Sequence, residues 1–136
     1  MNLYIPKHLE TVREIEITPE ELIDFENKIR DEYEAGNIKG PIHLSSNNES
    51  QVIEIFKYID KQDWVFAAWR NHYQALCHGV EPKKLYNSIV SGHSMGTNNV
   101  EPNFYASSIV GGIIPLALGS ALALKRKGSK QKVWCF

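Results

Sequence analysis

The sequence predicts an α/β domain with a largely parallel sheet and flanking helices. Helical stripes alternate with short apolar runs of strand length, the order helix, strand, helix, strand that parallel sheets require. Its 136 residues are enough for one domain with a sizeable core, and the 43% hydrophobic and 23% charged shares are those of a globular chain. A long polar stretch without period, Ser91 to Ser108, reads as a loop, and loops of that length inside a domain are usually functional or mobile.

Residues 1–17 have no clear period and read as an N-terminal arm; residues 18–136 read as the domain. Thr18-Pro19-Glu20-Glu21 is a helix start, with Thr18 as cap, Pro19 in the first turn and Glu21 closing a capping box. Leu22, Phe25, Ile29 and Tyr33 then form one apolar stripe, and Gly36 suits the stop. After the turn Gly40-Pro41, a second helix is expected, with Ser46 and Glu49 at capping-box spacing and Val52, Ile53, Phe56 and Ile59 on its buried face. Asp63 to Ala68 is a strand candidate that ends at Trp69-Arg70-Asn71-His72. Short helices are expected over Tyr73–Cys77 and from Pro82 to Val90. Ile113 to Lys127 reads as a buried helix whose small residues admit close packing, with Gly128 as its stop. Gln131 to Phe136 reads as a strand buried on both faces. Its apolar ending leads to the expectation that the native chain continues or that a partner supplies the remainder.

The formal net charge is -1, so no general attraction to nucleic acid or to an anionic membrane is expected. The apolar stretch Ile109–Leu124 contains Gly, Ala and Pro115 and is too short to suggest a spanning helix. The first 21 residues lack the features of a secretory signal or a transit peptide, and a cytoplasmic setting is expected. Cys77 and Cys135 are expected to be free buried thiols.

Arg70 and His72, at a strand end, are the first candidates for chemistry. An arginine fork suits phosphate or carboxylate, and a histidine two residues on can share the anion or shuttle a proton. Strand-end arginines also commonly form ion pairs, so both readings stay open. His43, His72, His78 and His93 match no metal-binding spacing, and Ser94 lies in no nucleophile elbow. Ser107-Ser108-Ile109-Val110-Gly111-Gly112 precedes a helix. Its glycines would let backbone approach a heterocycle, or would simply make a tight turn.

These segments together resemble the alpha subunit of thiamine-diphosphate-dependent 2-oxo acid dehydrogenases of the pyruvate, branched-chain and acetoin types. Ile38-Lys39-Gly40-Pro41-Ile42-His43-Leu44-Ser45-Ser46-Asn47-Asn48-Glu49-Ser50 is similar to that family's G-x-x-H-L-x-x-G-Q-E-A. Trp69-Arg70-Asn71-His72 is similar to its Y-R-x-H, and Ser94-Met95-Gly96 to its G-S-M-H. Ile109-Val110-Gly111-Gly112-Ile113-Ile114-Pro115-Leu116-Ala117-Leu118-Gly119 is similar to I-V-G-x-x-x-P-x-A-x-G. Asn47 replaces glycine, Asn48 glutamine, Trp69 tyrosine and Gly96 histidine.

The resemblance implies an incomplete thiamine-diphosphate-binding fold. It implies that Arg70 binds the cofactor diphosphate, Trp69 flanks it, and Ser108 and Val110 offer backbone groups to the aminopyrimidine ring. His43 and His72 would line the substrate side. Magnesium ligands are expected beyond residue 136, so the isolated chain is expected to bind cofactor weakly and to be inactive. The whole protein would be an oxidoreductase that decarboxylates a 2-oxo acid and passes the acyl group to a lipoyl carrier. Its implied partners are a beta subunit and a lipoyl-bearing acyltransferase. Two alternatives remain: a thiamine-diphosphate-dependent transferase of the same fold, and a non-catalytic or split cofactor-binding module.

Overall fold

A computed structural model describes residues 9–99 and 101–136, so the first eight residues of the predicted arm lie outside it. The elements run α1 (Pro19–Glu34), α2 (Glu49–Phe56), β1 (Trp64–Ala67), α3 (His72–His78), α4 (Pro82–Val90), β2 (Asn98–Asn99), β3 (Phe104–Ala106), α5 (Ile113–Arg126) and β4 (Val133–Cys135). The sheet order is β2-β3-β1-β4. Strand β1 pairs in parallel with β3 and with β4, while β2 is antiparallel to β3. The α/β architecture with flanking helices and a largely parallel sheet is the predicted one, and its parallel core has three strands.

Alternation along the strands builds two layers. Val65, Ala67, Phe104 and Ala106 face a large core with Leu22, Ile29, Phe56, Leu76 and Leu85, supplied by α1 to α4. Trp64, Phe66, Tyr105 and Val133 face the other way, where they pack with Ile113 and Ala117 of α5.

Helix α1 starts as its sequence dictates. Thr18 accepts from the Glu21 N–H at 3.2 Å, and the Glu21 carboxylate accepts from the Thr18 N–H at 2.8 Å. The expected Ser46 cap of α2 is not formed. Asn48 occupies the cap position without a side-chain bond, because Asn47 takes a left-handed conformation (φ 64°) that delays the helix to Glu49. The Glu49 carboxylate instead accepts from the Asn47 N–H and from the Tyr73 hydroxyl, each at 2.9 Å.

Three further expectations are corrected. The Ser91–Ser108 stretch is not wholly loop, since it contains β2 and β3. Helix α5 is not buried: Ile114, Leu118 and Leu122 are 61%, 70% and 50% exposed, because only the sheet lies against it. Strand β4 lies at the sheet edge with Cys135 exposed, so its apolar run does not mark burial on both faces; of the two thiols only Cys77 is buried. Among the described residues, no helix is long and apolar enough to cross a membrane.

Asp63, just before β1, ties the edge strand down. Its carboxylate accepts from the Lys132 N–H at 2.8 Å, from the Trp134 indole N–H at 2.9 Å and from the Asp60 N–H at 3.3 Å. Trp64 then pairs with Val133 in the parallel ladder. A carboxylate accepts without donating, which suits one that gathers three donors at a sheet end.

Candidate functional site

In open parallel sheets, ligands bind beyond the carboxyl ends of the strands. Here Ala67 of β1 lies opposite Ala106 of β3, and the Ser107 N–H donates to the Ala67 carbonyl at 3.2 Å. The two chains then diverge into Ala68-Trp69-Arg70 on one side and Ser107-Ser108-Ile109-Val110 on the other. Arg70 and the Ser108–Val110 loop therefore sit at one end of two adjacent strands. Neither segment's sequence alone discloses this.

Arg70 is exposed. One Nη1 donor reaches the Leu44 carbonyl at 3.4 Å, and among the described residues no carboxylate lies in ion-pair range of its guanidinium. The ion-pair reading of this arginine is thus not what the structure has. Its fork is left available for a planar or tetrahedral anion.

Ser108 and Val110 are exposed, and among the described residues neither uses its backbone N–H or carbonyl in an intramolecular hydrogen bond. Gly111 is left-handed (φ 72°). A Cβ on Gly112 would stand 3.0 Å from the Ile109 side chain and 3.2 Å from its carbonyl. Both glycines serve the turn itself, and it is the turn that presents the unused backbone groups outward.

His43 is half-buried and packs on Trp69, with ring centroids 5.4 Å apart and planes 33° from parallel. The Leu44 and Ser45 carbonyls accept from Arg70 and Tyr73, so the segment 43–45 runs beside 69–73. Burial, and then the hydrogen bond to Glu49, push the Tyr73 phenol upward, which keeps it a donor throughout the ordinary pH range. Asn47, where the resembled pattern has glycine, keeps a left-handed conformation, which asparagine tolerates better than most residues.

His72 is placed differently from expectation. It is fully enclosed, with Nδ1 2.9 Å from Glu26 Oε2 and Nε2 3.0 Å from Ser94 Oγ, and so lines no open surface of this chain. The cause is its position at the first turn of α3, whose inner face packs under α1. Sequence reasoning missed Glu26 as its partner. The signal was available: Glu26 lies four residues after Leu22 and three before Ile29, a charge inside an apolar stripe.

Among the described residues no group of three or more His, Cys, Asp or Glu side chains is arranged to hold a metal ion.

The fold is that of an α/β protein with a parallel sheet core, and an exposed arginine and an open backbone loop stand at adjacent strand ends. The chain belongs to the dehydrogenase E1 component family, whose model matches residues 19–136. It is 27% identical over 115 residues to the alpha subunit of acetoin:2,6-dichlorophenolindophenol oxidoreductase from Cupriavidus necator, covering 77% of this chain and 34% of that one. It is 28% identical over 122 residues to the pyruvate dehydrogenase E1 component subunit alpha of Rickettsia bellii, covering 82% and 37%. A second acetoin oxidoreductase alpha subunit, from Bacillus subtilis, is 26% identical over 126 residues, covering 85% and 38%. The chain thus spans about a third of the length of these relatives.

Proposed function

We propose that this chain provides one cofactor-binding face of a thiamine-diphosphate-dependent 2-oxo acid dehydrogenase, as part of its alpha subunit. The observation that carries the proposal is the placement of an exposed, carboxylate-free Arg70 beside the unused backbone groups of Ser108 and Val110. Membership of the dehydrogenase E1 component family supports it.

Arg70 would hold the diphosphate, offering parallel N–H donors to its oxygens. The backbone groups of Ser108 and Val110 would hold the aminopyrimidine edge and fix its orientation. Trp69 would bound the diphosphate side with an apolar ring, since it has no phenol to donate. His43, half-buried against Trp69, would be the histidine that meets a substrate or moves a proton near it. When bound, thiamine diphosphate supplies the carbanion chemistry that removes carbon dioxide from a 2-oxo acid. Magnesium would be held by residues outside those described here, and the acyl acceptor would be a lipoyl group on an acyltransferase partner. A beta subunit would close the site, in a cytoplasmic assembly.

The test is calorimetric titration of thiamine diphosphate with magnesium into the chain paired with its beta subunit. Arg70→Ala should weaken binding by about 2 kcal/mol, roughly thirtyfold, the worth of charge-assisted hydrogen bonds to phosphate. An unchanged affinity in that variant would sink the assignment of Arg70.

A further inference from the structure

Glu26, His72 and Ser94 are all buried, and they form a line: carboxylate, imidazole, hydroxyl. The outline is that of a hydrolytic triad, but Ser94 is 2% exposed, so no substrate carbonyl can reach its Oγ. The line does something else. A carboxylate can only accept, so Nδ1 is the nitrogen that donates to Glu26, and Nε2 shares its hydrogen bond with the Ser94 hydroxyl. The second oxygen of Glu26 accepts from the Ser45 N–H at 3.0 Å.

Four segments are joined in this way. Ser45 follows Leu44, whose carbonyl meets Arg70. His72 lies two residues after Arg70, and Asn71 between them donates through Nδ2 to the Ser94 carbonyl at 3.3 Å. Three residues beyond Ser94, the Thr97 carbonyl accepts from the Ala106 N–H at 3.0 Å, at the end of β3 where the Ser107–Val110 loop departs. Hydrogen bonds, several of them buried, joined by short stretches of backbone therefore run from the Arg70 side of the candidate site to the Ser108–Val110 side.

We propose that His72 is a positioning residue at the centre of a buried Glu26–His72–Ser94 relay that keeps the two halves of the cofactor site in register. This rests on the cofactor site proposed above. His72 touches neither ligand nor substrate; it sets the spacing between the groups that do. A diphosphate and a ring joined in one molecule need both halves at a fixed separation, whereas a free pyrophosphate needs only Arg70.

Three measurements on the full chain test the relay. In the wild type, ¹⁵N NMR of the His72 ring should give a protonated Nδ1 and an unprotonated Nε2. Glu26→Gln should reverse that tautomer, because the Gln amide then donates to Nδ1 and Nε2–H donates to Ser94. Ser94→Ala should speed amide exchange at Ala106 and Ser107 by about tenfold, the loss of roughly one buried hydrogen bond. With the beta subunit present, Ser94→Ala should also weaken thiamine diphosphate binding about tenfold while inorganic pyrophosphate binds as before. An unreversed tautomer in Glu26→Gln, or unchanged exchange in Ser94→Ala, would overturn the relay. Faster exchange with unchanged thiamine diphosphate affinity would reduce it to a fold contact and overturn the positioning role. If the wild type itself bound no thiamine diphosphate, the cofactor site and the positioning role would fall together, and the NMR and exchange results would still decide whether the relay exists.

Discussion

The two faces of the sheet are built from similar residues and treated differently. On one face, Val65, Ala67, Phe104 and Ala106 lie under four helices, and nearly every side chain there is enclosed. On the other, Trp64, Phe66, Tyr105 and Val133 lie under α5 alone, and Ile114, Leu118 and Leu122 of that helix point to solvent. Burial here follows from how many elements cover a face, not from how apolar the covered strand is. The polar groups follow the same division. Glu26, His72, Ser94 and Asp63 are buried, and all four lie among the elements that close the first face or at its margin.

The sharpest way to break this contrast is to remove a large ring from the closed face. Phe104 is 2% exposed, and Phe104→Ala should cost about 3–5 kcal/mol in chemical denaturation, because the surrounding helices can only partly collapse into the space. Phe66→Ala, on the α5 face, should cost less, since a single helix can settle onto the sheet. The reverse order would show that α5 is held more rigidly than its one-sided contacts imply.

A smaller effect is expected at the edge strand. Asp63→Ala would leave the Lys132 and Trp134 donors without their acceptor and should cost about 3 kcal/mol, with Asp63→Asn losing less because one acceptor oxygen remains. Trp134 fluorescence would report the loss locally. If its transition coincided with the global one in both variants, β4 would be as integral as β1; an earlier transition would mark it as the first part to leave the sheet.

The pH dependence of stability separates the two faces again. His78 is fully buried between Phe56 and Phe104, and burial, followed by the nearby Arg13 charge, holds its pKa below the ordinary histidine value. The folded state thus resists a proton that the unfolded state accepts. Stability from this source is complete above the unfolded pKa of about 6.5 and is lost as pH falls below it toward the folded value. His78→Gln, which keeps a donor for the Asp63 carbonyl, should flatten the slope of stability below about pH 6.5. An unaltered slope would assign the acid sensitivity elsewhere.

What could be read from the sequence was what neighbours in the chain decide. The Thr18–Glu21 capping box and the Gly128 stop of α5 are local, and each took the expected form, whereas the α1 stripe is buried at Leu22 and Ile29 but leaves Tyr33 46% exposed. Strand β3 escaped notice because its three residues owe their conformation to pairing with β1, some forty positions away. Helix α5 was expected to be buried because apolar composition does not say how many sides will be covered. The candidate site divides similarly. Arg70, Ser108 and Val110 could be named from local pattern and resemblance, but their placement at one end of the sheet depends on the Ala67–Ala106 pairing. His72 could be named and not placed, since Glu26 and Ser94 reach it from 46 and 22 residues away.

The smallest expected effect is also the one that bears most directly on the open face. Leu118 is 70% exposed, so Leu118→Gln removes little buried area and should change stability by no more than about 0.5 kcal/mol in the dilute chain. Ile114, Leu118 and Leu122 recur every four residues, however, and form a continuous apolar ridge along α5. If a second copy of the chain covered that ridge, the cost of Leu118→Gln would grow with protein concentration, because stability and association would then be linked by mass action. Denaturation of wild type and variant at two concentrations, tenfold or more apart, distinguishes the cases. Curves that keep a constant small separation mean that the ridge is free in the isolated chain. A separation that widens with concentration means that the open face is closed by self-association, and the contrast between the two faces would then be a property of the monomer alone.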